Sequence, residues 1–162
     1  MSPDKVSHML LAQLLDFDSV RVGVSAKTKR ALLNQLGLHS AQHLGVDPDV
    51  VQASIAERER LGSTGFGNGV AIPHGKVAGL EAVYAMVVRL SEPIDYKAVD
   101  DMPVDIIFLM LSPPDSGAEH LKALAAISRV ARNTVTVEKL RGARSRDAFA
   151  AVLIGADERD AA

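Results

Sequence analysis

The chain has no cysteine, which excludes disulfides, thiolate zinc sites and cysteine nucleophiles together. No run approaches the roughly 18 uncharged apolar residues of a membrane-crossing helix. Met1-Ser2-Pro3-Asp4-Lys5 is not followed by the charged-then-apolar pattern of a secretory leader. Nor is there an excess of one charge. Eighteen basic residues against twenty acidic ones leave a net charge of −2, which removes the bulk electrostatic case for binding nucleic acid or a membrane surface. There is no internal repeat and no low-complexity tract. What is present is a chain of 162 residues, 48% hydrophobic and 23% charged, an ordinary globular composition and about one domain's length. Such a length buries a core without staples. The expectation is a cytoplasmic single domain whose chemistry comes from His, Asp, Glu, Ser, Lys or Arg.

Along the chain, helices and strands interleave. Ser25 to Leu44 reads as a helix with Ser25 as its cap and Gly37 as a point of possible interruption. Asp47-Pro48 is an N-cap followed by a first-turn proline, and the helix it opens carries Val50, Val51 and Ile55 and stops at Gly62. Val70-Ala71-Ile72, Val83 to Leu90 and Val104 to Leu111 read as strands. The second and third are nearly continuous in apolar residues, the pattern of strands covered on both faces. Ser112-Pro113-Pro114 ends the third, Ser116 with Glu119 suggests a capping box, and Leu121, Leu124, Ile127 and Val130 mark the next helix. Two shorter helices follow, near Val137–Arg141 and from Ser145 to about Leu153, before a polar tail expected to fray. These elements predict an α/β sandwich on a mixed sheet.

The densest signal is Gly62-Ser63-Thr64-Gly65-Phe66-Gly67-Asn68-Gly69-Val70-Ala71-Ile72-Pro73-His74-Gly75, with five glycines in fourteen residues. Glycines let a chain turn sharply and bring N–H donors close to an anion, phosphate being the common guest. Ser63, Thr64, Gly67 and Asn68 are therefore candidate phosphate contacts. The dinucleotide pattern fails because Val70 and Ile72 stand where glycine is required, and a Walker A loop fails at Val70 and Val77. A serine-hydrolase elbow is absent.

His74 follows a proline that fixes its entry and precedes Gly75, which would leave the imidazole open on one side. Neutral imidazole is a competent nucleophile near pH 7, although a structural histidine at a strand end reads equally from the residue alone. His120 falls in the first turn of a helix, where the positive end lowers a histidine's pKa and makes it a neutral N–H donor, or else it is an exposed first-turn residue. Arg58, near the end of the helix that feeds the loop, can reach over it as a fork for phosphoryl oxygens. Glu57, Arg58, Glu59 and Arg60 also read as a solvated face, and Lys76 as a solvent-exposed cation. His39 and His43 have a spacing that could hold a metal but lack a third ligand, and His8 lies near the terminus. Asp100-Asp101 reads as turn chemistry.

The run Arg58 through Lys76, containing Ile72-Pro73-His74-Gly75, closely resembles the active-site segment of enzyme IIA proteins of the fructose–mannitol class of the bacterial phosphoenolpyruvate:sugar phosphotransferase system, and most of all their nitrogen-regulatory branch. The likeness extends through Ile94-Asp95-Tyr96, Pro103-Val104-Asp105 and Leu111-Ser112-Pro113 to His120-Leu121. It implies a five-stranded mixed sheet flanked by helices on both faces, a phosphocarrier domain over residues 11–155, and flexible termini at 1–10 and 156–162. It implies that His74 accepts the phosphoryl group on Nε2, that His120 donates a hydrogen bond to it, and that Arg58 lies beside it, with neither cofactor nor metal. The implied donor is a histidine phosphocarrier protein. The implied readers are regulatory targets such as kinases or potassium-transport regulators, or a IIB component if the chain serves sugar transport. A docking protein with incidental phosphorylation is the reading from another class.

Overall fold

The computed structural model describes the backbone of residues 9–161 and the side chains of residues 9–156. His8 and most of the 1–10 terminus lie outside the described residues. Two 3-10 turns (Leu11–Gln13, Phe17–Ser19) lead into β1 (Val20–Val24), α1 (Lys29–Leu44) and α2 (Pro48–Arg60). The short strands β2 (Gly65–Gly67), β3 (Val70–Ala71) and β4 (His74–Lys76) precede the long strands β5 (Tyr84–Ile94) and β6 (Val104–Ser112). Helices α3 (Gly117–Ala131), α4 (Thr134–Gly142) and α5 (Arg146–Ala161) complete the chain.

The sheet is open, mixed and six-stranded, in the order β1-β5-β6-β3-β2, with β4 paired to β6 beyond β3. This is one strand more than the resemblance implies. Val70 to Lys76 runs parallel to β6 as two short pieces, Val70 and Ala71 facing Ile106 and Ile107, then His74 to Lys76 facing Met110 to Ser112. Pro73 divides them because it has no N–H to give the ladder, and Ile72 turns its own N–H to the carbonyl of Thr64.

The continuous apolar runs are covered on both sides, as their composition predicts. Ile106, Phe108 and Met110 of β6 pack with Ala85 and Val87 of β5 against Ala123, Ile127 and Val130 of α3, Val137 and Leu140 of α4, and Phe149 and Leu153 of α5. Ile107, Leu109 and Leu111 pack with Met86 and Val88 against Leu32 and Leu36 of α1 and Val51 and Ile55 of α2.

Several boundaries differ from expectation. Thr28, not Ser25, caps α1 by accepting from the Ala31 N–H at 3.0 Å. That helix is unbroken at Gly37, where a Cβ would lie 2.7 Å from Cγ of Gln52, so the glycine serves the close approach of α1 and α2. Asp47 and Pro48 start α2 as expected. Ser116 stands at the N-cap of α3 but forms no capping box, its hydroxyl donating instead to Pro113 O at 2.6 Å. Helix α5 runs on to Ala161 instead of ending near Leu153, held down by the buried Phe149, Leu153 and Ala156. β1, β2 and β4 have no counterpart among the expected strands.

Candidate active site

His74 opens β4, and its backbone register against Met110 fixes where the ring starts. The imidazole folds back on its own chain, with Nδ1 2.8 Å from the carbonyl oxygen of Ile72. A carbonyl can only accept, so Nδ1 carries the proton and Nε2 keeps its lone pair. Burial is the main cause holding the His74 pKa below the ordinary 6.5. The Ile72 carbonyl opposes it, the Arg58 charge reinforces it and Glu59 opposes it more weakly. The ring is thus neutral at physiological pH, with the lone pair of one nitrogen available.

His120 lies in the first turn of α3, its ring centroid 5.9 Å from that of His74. Its pKa is also lowered, first by burial and then by the charges of His74 and Lys76. The direction matches the sequence reading, but the causes differ from the helix end invoked there. Nδ1 of His120 is in a short hydrogen bond with the hydroxyl of Ser112. Arg58 holds the Gly62 carbonyl through Nη1 at 2.9 Å. With Ser54, Glu57, Leu61, His74, Gly75, Lys76 and His120 it lines an open cleft of about 270 Å³. Three candidate residues from separate elements therefore meet in one place, and Lys76 joins them while remaining exposed. A larger groove of about 760 Å³ between α1 and α2 contains no histidine.

Ser63, Thr64, Gly67 and Asn68 do not line this cleft. The Ser63 hydroxyl accepts from Gly65 N–H, and the Thr64 hydroxyl is enclosed between Glu59 and Tyr96. The Asn68 N–H is taken by the Asp100 carboxylate at 3.0 Å, and the Gly67 backbone lies against the same carboxylate. An internal acid thus occupies the donor that the anion-nest reading gave to phosphate. Asp100 also accepts from Met102 N–H, and Asp101 takes a positive φ, the turn chemistry expected of that pair.

Gly75 also has a different purpose from the one read in the sequence. A Cβ there would lie 2.3 Å from Oγ of Ser54 and 3.1 Å from its backbone carbon. The glycine lets α2 press on β4, where the Ser54 hydroxyl donates to Lys76 O at 2.6 Å. Gly75→Ala is expected to cost about 2 kcal/mol, roughly 4–8 °C in Tm. Adding Ser54→Ala should recover part of it, which thermal unfolding of the single and double variants measures.

The acidic and basic run at the end of α2 is split by its geometry. Glu57 and Arg60 pair in solvent at 2.6 Å, the solvated face expected of them. Glu59 is turned inward with its side chain 6% exposed, pairing with Lys29 at 2.9 Å. It also accepts from the Thr64 N–H and hydroxyl and from the Tyr96 hydroxyl. Burial above all, then the Glu59 charge, keeps the Tyr96 phenol protonated. The signal was legible: Val51, Ile55 and Glu59 recur at four-residue spacing, so a carboxylate continues a buried stripe. His39 and His43 have separate partners, Arg21 and Asp16, and among the described residues no three His, Asp or Glu side chains cluster as metal ligands.

The family model for the phosphoenolpyruvate-dependent sugar phosphotransferase system, EIIA 2, matches residues 13–155. The chain belongs to this EIIA 2 family. Among its relatives, the nitrogen regulatory protein of Bradyrhizobium diazoefficiens is 38% identical over 145 residues, covering 90% of this chain and 95% of that one. The crystal structure of nitrogen regulatory protein IIA-Ntr from Neisseria meningitidis superposes with a TM-score of 0.82 at 30% identity, over 88% of this chain and 98% of the other. Enzyme IIAMTL of Escherichia coli, in its complex with phosphorylated enzyme IIBMTL, shares the fold at a TM-score of 0.73 and 19% identity, over 87% and 97% of the two chains. This EIIA 2 chain is therefore a phosphotransferase-system protein similar to nitrogen regulatory proteins. Among its described residues no helix is long and apolar enough to cross a membrane.

The lowered histidines of this EIIA chain give its stability a pH dependence. Between their depressed folded values and 6.5 the unfolded chain binds protons that the folded one refuses. Stability contributed by these rings is complete above about pH 6.5 and falls as pH drops below it. Thermal unfolding should give a flat Tm from about pH 8 to 7 and a decline through about pH 6 to 5, shallower in a His74→Gln/His120→Gln variant.

Proposed function

We propose that this chain is a regulatory phosphocarrier that accepts a phosphoryl group on Nε2 of His74 from a histidine phosphocarrier protein. One observation carries the reading: the Nδ1–H of His74 is committed to the Ile72 carbonyl at 2.8 Å, so Nε2 alone offers a lone pair to phosphorus. The transfer is an in-line displacement, in which the new N–P bond forms at Nε2 as the donor's N–P bond breaks. Little covalent chemistry is left to the protein, and positioning and charge complementarity supply the catalysis. The Arg58 guanidinium and the His120 ring both line the cleft and meet the phosphoryl oxygens, the first with its charge and the second with an N–H. The names borne by the relatives support a regulatory output, read in the cytoplasm by target proteins such as kinases or potassium-transport regulators. A IIB component is the downstream partner if the chain serves transport, as the IIA–IIB complex of the mannitol neighbour illustrates for that protein.

The test is an intact-mass time course with phosphoenolpyruvate, enzyme I and the histidine phosphocarrier. The expected product is one acid-labile phosphoryl group, with a ³¹P resonance of the Nε2 phosphoramidate type. No transfer from cognate upstream proteins would overturn the proposal and favour a docking protein.

A further inference from the structure

Ser112 ends β6 as a fully buried residue, and its carbonyl accepts the Val77 N–H at 2.8 Å. Its hydroxyl meets Nδ1 of His120, and among the described residues no second partner lies within hydrogen-bond distance of that oxygen. The bond can be written two ways. If Nδ1–H donated to Oγ, the serine's own proton would be left in a dry interior with no acceptor, an arrangement that buried hydroxyls avoid. If Oγ–H donates to Nδ1, every proton is placed. The imidazole then carries its remaining proton on Nε2, the nitrogen it can offer to the cleft.

We propose that Ser112 is a positioning residue that fixes the tautomer and aim of His120, so that its Nε2–H is preset as a donor to a phosphoryl group held on His74. The role rests on the phosphocarrier reading of the cleft. The two rings become complementary through opposite hydrogen bonds at Nδ1. The Ile72 carbonyl accepts from Nδ1–H of His74 and leaves its Nε2 free to attack, whereas the Ser112 hydroxyl donates to Nδ1 of His120 and leaves the ring's proton on Nε2 to donate. Ser112 stands in the β4–β6 ladder, where it faces Lys76 and His74 faces Met110, and Ile72 lies just before β4. A ring pinned at Nδ1 loses less freedom when it meets the phosphoryl oxygen, which is the benefit of preorganisation. The lowered His120 pKa accords with a ring that donates while neutral.

The direct test is ¹⁵N NMR of the His120 ring in the unphosphorylated wild-type chain near pH 8. The expected spectrum has a pyridine-type Nδ1 and a pyrrole-type Nε2, and a pyrrole-type Nδ1 overturns the proposal. Ser112→Ala should then slow phosphoryl acceptance roughly tenfold, short of the ~10² that an ångström of misplacement costs. The KM for the phosphocarrier donor should stay unchanged, and Ser112→Thr, which restores the hydroxyl, should recover the rate. In a His120→Ala background Ser112→Ala should have no further effect. A slowing that persists there, or a wild-type rate in Ser112→Ala, overturns the role. If the wild type itself takes no phosphoryl group, the phosphocarrier reading fails and the proposed role in transfer falls with it, while the ring spectrum still decides which way the Ser112 bond runs.

Discussion

His74→Gln is expected to take no phosphoryl group above background while remaining folded. Glutamine places an amide nitrogen near the position of Nε2 but offers no lone pair that can attack phosphorus, so the loss is of chemistry and not of shape. The structural cost is small because the ring is only half-buried and its one hydrogen bond runs two residues back along the chain, to Ile72. About 1 kcal/mol covers that bond, a few degrees in Tm. His120→Ala should behave differently. It removes a ring donor beside the acceptor and not the acceptor itself, so transfer slows about 10²-fold without disappearing. Intact-mass time courses beside thermal melts separate these outcomes. An acid-labile group on His74→Gln would move the acceptor elsewhere, with His120 the first position to examine.

Glu59→Ala is expected to cost about 3 kcal/mol, the range for breaking a buried ion pair from one side. The carboxylate is 6% exposed and the Lys29 ammonium 23%, so both sit largely out of water. Removing it leaves the ammonium unpaired and the Thr64 N–H and Tyr96 hydroxyl short of an acceptor. Glu59→Gln keeps an acceptor and the volume and should cost about half as much. There is a second signature. The Glu59 charge supports the protonated form of His74, so its loss should lower the His74 pKa further and extend phosphoryl acceptance to more acidic pH. Urea denaturation gives the first effect, and NMR titration of the His74 ring gives the second. Unchanged stability would mean that Lys29, Thr64 and Tyr96 find other partners.

Much of this was legible in the chain. The nearly continuous apolar runs of β5 and β6 announced a sheet covered on both faces, because a strand with one wet face alternates and these do not. Asp47-Pro48 marked a helix start through local chemistry that tertiary context does not override. His74, His120 and Arg58 meet because the Ile-Pro-His-Gly segment, the strand-to-helix turn after β6 and the end of α2 deliver them to one cleft. The missed elements share a cause. β1 contains Arg21 and Gly23, and β2 and β4 consist half or more of glycine and polar residues, so their strand state comes from pairing with neighbours and not from propensity. The glycine loop was read as a nest because glycine permits one, but Asp100 lies far along the chain and no local pattern shows that it takes the Asn68 N–H. Ser112 escaped for the same reason. A single hydroxyl before two prolines says nothing until the helix beyond folds His120 back onto it.

β6 has a neighbour on each side along its length and buried side chains at nearly every position. Its amides should therefore be among the slowest in the molecule to exchange with deuterium, opening only when the whole sheet opens. Both imidazoles take their bearings from this strand, one through the partner of Met110 and the other through Ser112. With His120 in the first turn of α3, shortly after this strand, their spacing is insulated from the fluctuations of α5. A chain that has frayed at α5 still presents the two rings at the same separation, and the site fails late, together with the fold.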